Sequence, residues 1–243
     1  AGNPVADDPV LAQRQVLVDG EPAEAELRPT GRGRYVLEAG GSRSRVVLEP
    51  LQPGRVSVRF SVALRRTPFT IQRTVTLQEG QPFITWDGRI RNEGDEALHF
   101  VWGQHICFGE PFIAPGCEIN LPRSRVQTLD KVSPTARFAA NQDAAWPELG
   151  TADGGTARAD KVLPKNARTH DTYTIIPEEG WYAIRNPGLD LGVVVAWDLA
   201  TYPYLWTWQV YGGAWGYPYY GRAYALALEP FSSPAGTLTA SVE

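Results

Sequence analysis

Apolar residues fall at every second position through most of the chain. The segments RQVLVDG (14–20), EAELRPT (24–30), GRYVLEA (33–39), SRVVLEP (44–50), RVSVRFSVAL (55–64), FTIQRTVTLQ (69–78) and FITWDGRIRN (83–92) all alternate in this way, with glycine, proline or acidic residues between them. A period of two puts one set of side chains on each face of a pleated backbone, so the pattern predicts strands joined by short turns. It resumes in TYTIIPE, GWYAIRNP, LGVVVAWDL, YPYLWTWQVY, RAYALALEP and TLTASVE. No segment keeps a helical period for more than two turns.

The stretch TVTLQEGQPFITWDGRIRNEGDEALHF (74–100) shows the architecture most clearly. It predicts a strand, a tight turn at Glu79-Gly80, a second strand, a turn over 92–95, and a third strand leading into His105. Three long antiparallel neighbours make a broad sheet, and a broad sheet hides one face best against a second sheet. The expectation is an all-β fold, a large antiparallel β-sandwich spanning 1–243 as a single domain. Residues 130–165, rich in Ala, Pro, Gly and Asp, interrupt the pattern. They read as an irregular excursion, either a functional flap or a mobile surface loop.

Composition narrows the function classes. The fractions of 43% hydrophobic and 21% charged residues are those of a globular protein. A formal charge of −4, with scattered basic residues, gives no footprint for nucleic acid. No apolar run approaches the length of a membrane span, and the N-terminus AGNPVADDP has neither a basic start nor an apolar core of a signal. Cytoplasmic residence is therefore the default expectation. The chain contains no methionine, position 1 included, which points to a maturation step or to upstream sequence.

Candidate chemistry is sparse. The three histidines, His99, His105 and His170, have no chelating spacing, so no metal and no cofactor is expected. There is no GxSxG elbow, and GGAWGYPYYG carries aromatics where a phosphate cradle needs bare backbone. Cys107 and Cys117 read as two buried small apolar residues or as a bridge. What remains is a histidine in WGQHICFGEPF (102–112) and a carboxylate, Glu229, that ends the apolar strand RAYALALEP at Pro230. Such a glutamate is either solvated at the strand end or desolvated in a cleft, where its pKa rises and it becomes a better base near neutrality. Upstream, VVVAWDLATYPYLWTWQVYGGAWGYPYYG combines four tryptophans and several tyrosines with Asp198 and Gln209. Aromatic faces stack on sugar rings while polar hands take hydroxyls, so Trp206, Trp208, Gln209 and Asp198 suit a carbohydrate cleft; the competing reading is a core filled by large residues. Arg73 is a candidate hydroxyl or carboxylate contact or part of a solvated strand face, and His99 and His170 carry the same two readings. Arg123, Arg125 and Arg222 would suit an anionic sugar.

Taken in order, RTPFTIQRTVTL, WGQHICFGEPF, YPYLWTWQ and YALALEPFSSP resemble the landmarks of the aldose 1-epimerase, or galactose mutarotase-like, family, in its compact and less characterised branch. The resemblance runs from about Arg65 to Pro234. It implies a β-supersandwich with an open sugar cleft and no cofactor. It also implies that His105 is the general acid at the ring oxygen and Glu229 the general base on the anomeric hydroxyl. In this reading the glycine-flanked backbone lifts His105 out of its strand and into the cleft. Two departures stand out: no histidine precedes His99, where the family carries a sugar-binding one, and the first strands of the family sandwich are absent or divergent. An edge strand left open in that way invites pairing with a second copy.

The expected function is thus anomer interconversion of a small-molecule sugar or sugar derivative. A non-catalytic carbohydrate-binding sandwich, or a different proton-transfer isomerase or lyase on the same scaffold, is the alternative. His105 and Glu229 facing each other across one cleft, at a separation that spans a sugar ring, would favour the first.

Overall fold

The computed structural model describes residues 53–235, together with the backbone of five strands upstream of them. The strand expected at TLTASVE (237–243) and the N-terminal segment AGNPVADDP lie outside the described residues. The chain forms two compact units, Ala1–Leu98 and His99–Glu243.

In the first unit, strands β1 (Val16–Val18) and β2 (Glu21–Ala23) pair with each other. Strands β3 (Ala25–Gly31), β4 (Arg34–Ala39), β5 (Ser42–Leu48), β6 (Arg55–Ala63), β7 (Phe69–Gln78) and β8 (Ile84–Asn92) follow in chain order as one antiparallel sheet. Alternation sets the register: Val56, Leu77 and Ile84 share one row, and Val58, Val75 and Trp86 the next, so most apolar residues line one face, with Arg73 among them, and serine, threonine, glutamine and charged residues the other. The expected turn at Glu79-Gly80 is present, and Gly80 supplies the left-handed backbone, φ 71°, that a tight turn asks for.

The third strand of this meander does not form. Beyond β8 the Asn92 side chain accepts the Gly94 N–H at 3.0 Å and donates to the Glu96 carbonyl at 2.6 Å, closing a polar loop. The run Glu93-Gly94-Asp95-Glu96 has no apolar alternation to pay for a buried ladder, and the chain leaves the sheet.

The second unit is a sandwich of two antiparallel sheets. Its larger sheet takes β9 (Cys107–Gly109), β11 (Ser124–Thr128), β12 (Asp143–Ala145), β15 (Thr169–Pro177), β18 (Tyr204–Tyr211) and β19 (Tyr224–Phe231), in the order β12-β11-β15-β18-β19-β9. The smaller takes β10 (Glu118–Asn120), β16 (Trp181–Asn186) and β17 (Leu191–Ala196). Tyr173 and Ile175 of β15, Leu205 and Tyr211 of β18, and Leu226 and Leu228 of β19 face inward, against Ile119, Tyr182, Ile184 and Val195 of the smaller sheet. Each fully buried side chain of this kind is worth about 1.5–3 kcal/mol, and the layers lock where the Tyr182 hydroxyl donates to the Leu228 carbonyl at 3.1 Å.

Residues 130–165 are part of this core. They carry β12, the hairpin β13 (Glu148–Gly150) with β14 (Thr156–Arg158), and the buried side chains of Phe138, Leu149, Ala159 and Val162. A single 3₁₀ turn, Lys165–Ala167, leads into β15. No helix among the described residues is long and apolar enough to cross a membrane.

Candidate functional site

The site grows out of the register between β19 and the segment that precedes β9. Ala227 faces Cys107, Gly109 faces Ala225, and an isolated bridge joins Gly103 to Phe231. The intervening residues keep the same register: Gln104 N–H donates to the Pro230 carbonyl at 2.9 Å and Leu228 N–H to the Ile106 carbonyl at 3.1 Å. His105 therefore lies directly opposite Glu229, in the close, non-hydrogen-bonded type of cross-strand pair. The two reciprocal ladder bonds are missing for local reasons. Pro230 has no N–H, and the Ile106 N–H turns back to the Gln104 carbonyl at 3.0 Å, which tightens the backbone around His105.

Cross-strand pairing thus explains the histidine in WGQHICFG. His105 Nδ1 and Glu229 Oε1 are 2.6 Å apart, and the His105 side chain is 73% exposed while that of Glu229 is 11% exposed. The two groups share one face, but in direct contact rather than at the ring-spanning separation anticipated from sequence. Burial pushes the Glu229 carboxyl above the usual carboxylate range, and the neighbouring His105 offsets part of that rise. The His105 ring meets the carboxylate through Nδ1, which leaves Nε2 as its second nitrogen.

Three further contacts hold this edge. The Gln104 side chain donates to the Tyr202 hydroxyl at 2.8 Å, and Trp102 N–H donates to the Ser232 hydroxyl at 2.9 Å. Gly103 leaves room for the Phe231 ring, which a Cβ would meet at 2.4 Å. Neither Gln104 nor Tyr202 stood out in the sequence, although each lies inside a motif that did.

The candidate binding residues separate. Trp206 lies directly opposite Glu229 on β18, and Trp208 lies opposite Ala227, so both share the face of the pair. Trp206 is a fixed wall: Phe231 stacks on it at 3.7 Å and 4°, and its indole N–H donates to the Ser233 carbonyl at 2.7 Å. His170, opposite Val210, is on the same face and accepts the Trp208 indole N–H on Nε2 at 2.6 Å. Burial lowers the His170 pKa and so keeps this ring neutral, with its proton on Nδ1.

Gln209 is not on that face. It is fully buried on the inner side, donating to the Ala159 carbonyl at 2.8 Å and accepting from Arg137 at 2.6 Å. Arg137 in turn binds Asp171, whose carboxylate takes the Arg137 backbone N–H and Nε, each at 2.7 Å. This network pins residues 130–165 to β15 and β18. Asp198 caps its own turn, accepting from Ala200 N–H at 3.1 Å and from the Thr201 hydroxyl, which holds its carboxyl below the usual range. Arg73 lies in the first unit, on β7 between Phe60 and Gly88. Arg123 and Arg125 form surface ion pairs with Glu178 and Asp143, and Arg222 lies over the Tyr220 ring.

The cysteines differ from the sequence expectation of a buried pair. Both are free thiols; Cys117 is buried, whereas Cys107 is exposed beside His105 because β9 is the edge of its sheet and Cys107 points to the outer face. Among the described residues no group of three or more His, Cys, Asp or Glu side chains is placed to hold a metal ion.

The all-β architecture has a counterpart among solved structures. The chain is similar to a candidate aldose 1-epimerase from Klebsiella pneumoniae subsp. pneumoniae, with a TM-score of 0.53 and 16% identity over 84% of this chain and 50% of that one. The chain thus spans about half the length of that protein. It belongs to the DUF4432 family, a domain of unknown function, whose model matches residues 56–241. No curated protein matches the sequence.

Proposed function

We propose that the chain is a carbohydrate mutarotase that interconverts sugar anomers through the His105–Glu229 pair. The direct contact between His105 and Glu229 is the observation that carries this reading. The two oxygens that exchange protons, the anomeric hydroxyl and the ring oxygen, are bonded to the same carbon, C1. Neighbouring groups can therefore serve both, and no ring-spanning separation is needed.

With Nδ1 engaged by Oε1, the atoms of the pair outside that contact are His105 Nε2 and the second carboxylate oxygen of Glu229. In the forward step the carboxylate takes the proton from the C1 hydroxyl while His105 gives a proton from Nε2 to the ring oxygen. The C1–O5 bond breaks as the C1 carbonyl forms, the C1–C2 bond rotates, and closure returns both protons. Each positioned transfer is worth about 10²–10⁴-fold, and the raised Glu229 pKa makes the carboxylate the stronger base. Trp206, fixed opposite Glu229, supports a sugar ring beside the pair, and Trp208 extends that wall. Asp198 stays a candidate hydroxyl contact, and Gln209 acts behind the sheet through Arg137.

The test is saturation-transfer NMR of anomer exchange over a panel of neutral, phosphorylated and acidic aldoses. Exchange above the spontaneous rate for one sugar supports the proposal. Binding of that sugar with no acceleration overturns it in favour of a non-catalytic carbohydrate-binding sandwich.

A further inference from the structure

The loop that follows β18 presents Trp215 60%, Tyr217 86%, Tyr219 38% and Tyr220 57% exposed. A protein surface seldom gathers four large aromatics without a ligand for them.

This loop is closed at its neck and tied down. Gly221 N–H donates to the Ala214 carbonyl at 2.7 Å, and Gly212 N–H to the Ala223 carbonyl at 2.9 Å. The Thr135 hydroxyl donates to the Gly213 carbonyl at 2.7 Å, the Arg168 guanidinium donates to the Gly221 carbonyl at 3.1 Å, and that guanidinium lies 5.6 Å from the centre of the Trp215 ring. The aromatics are therefore held out on a fixed frame.

The loop is also continuous with the candidate site. Tyr219 packs on Trp208, ring centres 5.6 Å apart and tilted by 49°, and Trp208 packs edge-on against His170 at 6.0 Å. Trp208 is two residues along β18 from Trp206, the residue opposite Glu229, a displacement of about 7 Å along the strand. Because Trp208 gives its indole proton to His170 Nε2, the His170 Nδ1–H is the remaining donor of that ring.

From this arrangement we infer a second sugar subsite, formed by Trp208, Tyr219, His170 and the Trp215–Tyr220 loop, so that the preferred substrate is a reducing oligosaccharide rather than a free monosaccharide. The reducing-end ring, with its anomeric carbon, sits at His105 and Glu229. The next ring lies on Trp208 and Tyr219, and any further ring meets the exposed tyrosines. Aromatic faces with phenol and imidazole donors at their edges match the alternating apolar faces and hydroxyl rims of linked pyranoses. The inference rests on the mutarotase reading for where the first ring sits, but its own test is binding.

Calorimetric titration of the whole chain with glucose, galactose, maltose, cellobiose and lactose gives the affinity ratio of disaccharide to constituent monosaccharide, and NMR exchange is measured on the same samples. At least one disaccharide is expected to bind about tenfold more tightly than its monosaccharide, the factor that about 1.4 kcal/mol of added stacking and burial provides. Trp215→Ala and Tyr219→Ala are each expected to cut that ratio severalfold, with far-UV circular dichroism and melting temperature kept to show the fold intact. Tight disaccharide binding with no accelerated exchange would overturn the mutarotase reading and leave the subsite standing. A ratio within twofold of unity, a ratio untouched by both variants, or no binding by any of these sugars would overturn the subsite. So would a dimer in light scattering that Trp215→Ala dissolves, since the patch would then be a contact between copies.

Discussion

Replacing Asp171 with alanine removes the anchor of a buried charge. The Asp171 side chain is 1% exposed and Arg137 12%. Its carboxylate accepts the Arg137 backbone N–H and Nε, each at 2.7 Å, with Phe138 N–H farther off at 3.4 Å. Without it the guanidinium keeps one strong partner, Gln209 Oε1 at 2.6 Å, and the ring of Phe138 4.5 Å away. Stranding a desolvated charge in this way costs about 3–5 kcal/mol, which for a chain of this size lowers the melting temperature by about 6–20 °C. Removing both charges together, in Arg137→Met with Asp171→Leu, leaves no unpaired ion. That pair of changes is expected to recover most of the loss, so the two sites couple strongly. Thermal unfolding followed by calorimetry and by tryptophan fluorescence reads each variant. A loss below about 1 kcal/mol for Asp171→Ala, or a double variant no better than the single one, would refute the network as a determinant of this core.

Other outcomes follow from the same geometry. Because burial raises the Glu229 pKa, the native state binds more protons than the unfolded chain from about pH 4.3 up to the raised value, so stability falls as pH rises through that window; Glu229→Gln should flatten this slope in denaturant titrations run across pH. The acid limb of kcat/KM should likewise turn over above about pH 4.3 in the wild type, and a midpoint at or below that value would contradict Glu229 as the base. Gly103→Ala pushes a methyl into the Phe231 ring and should cost about 1–3 kcal/mol, read by chemical denaturation, while disturbing the Trp206 fluorescence. Tyr173→Phe and Tyr211→Phe each delete a buried hydroxyl with no partner among the described residues, and should leave melting temperature level or raise it; a drop of several degrees would show that the hydroxyls are satisfied by bound water.

Alternation made the strands legible because a pleated strand sends successive side chains to opposite faces: β7, β15, β18 and β19 lie where period two placed them. The same pattern could not say which face carries function. Trp206, Trp208 and Gln209 fall within one short stretch of β18, yet one step along the strand sends Gln209 to the core and both tryptophans to the outer face. His105 and Glu229 were identifiable singly, but their contact depends on a register fixed by β9 and Pro230, 124 positions apart in separate motifs for the two side chains, and no local signal encodes that. Residues 130–165 looked irregular because their strands are three residues long, too short for a period to show, and the apolar side chains they bury are spread among polar turns.

The central claim is that His105 and Glu229 act as one proton-exchanging unit. Anomer exchange rates of the wild type, His105→Asn, Glu229→Gln and the double variant, measured by saturation transfer on the best sugar of the panel, test it most directly. Two groups that work as a unit lose nearly everything with the first removal, so each single variant should fall by about 10²-fold or more, with the double variant little slower than either. Single variants that keep near wild-type exchange, or losses that multiply in the double variant as for independent groups, would contradict the account.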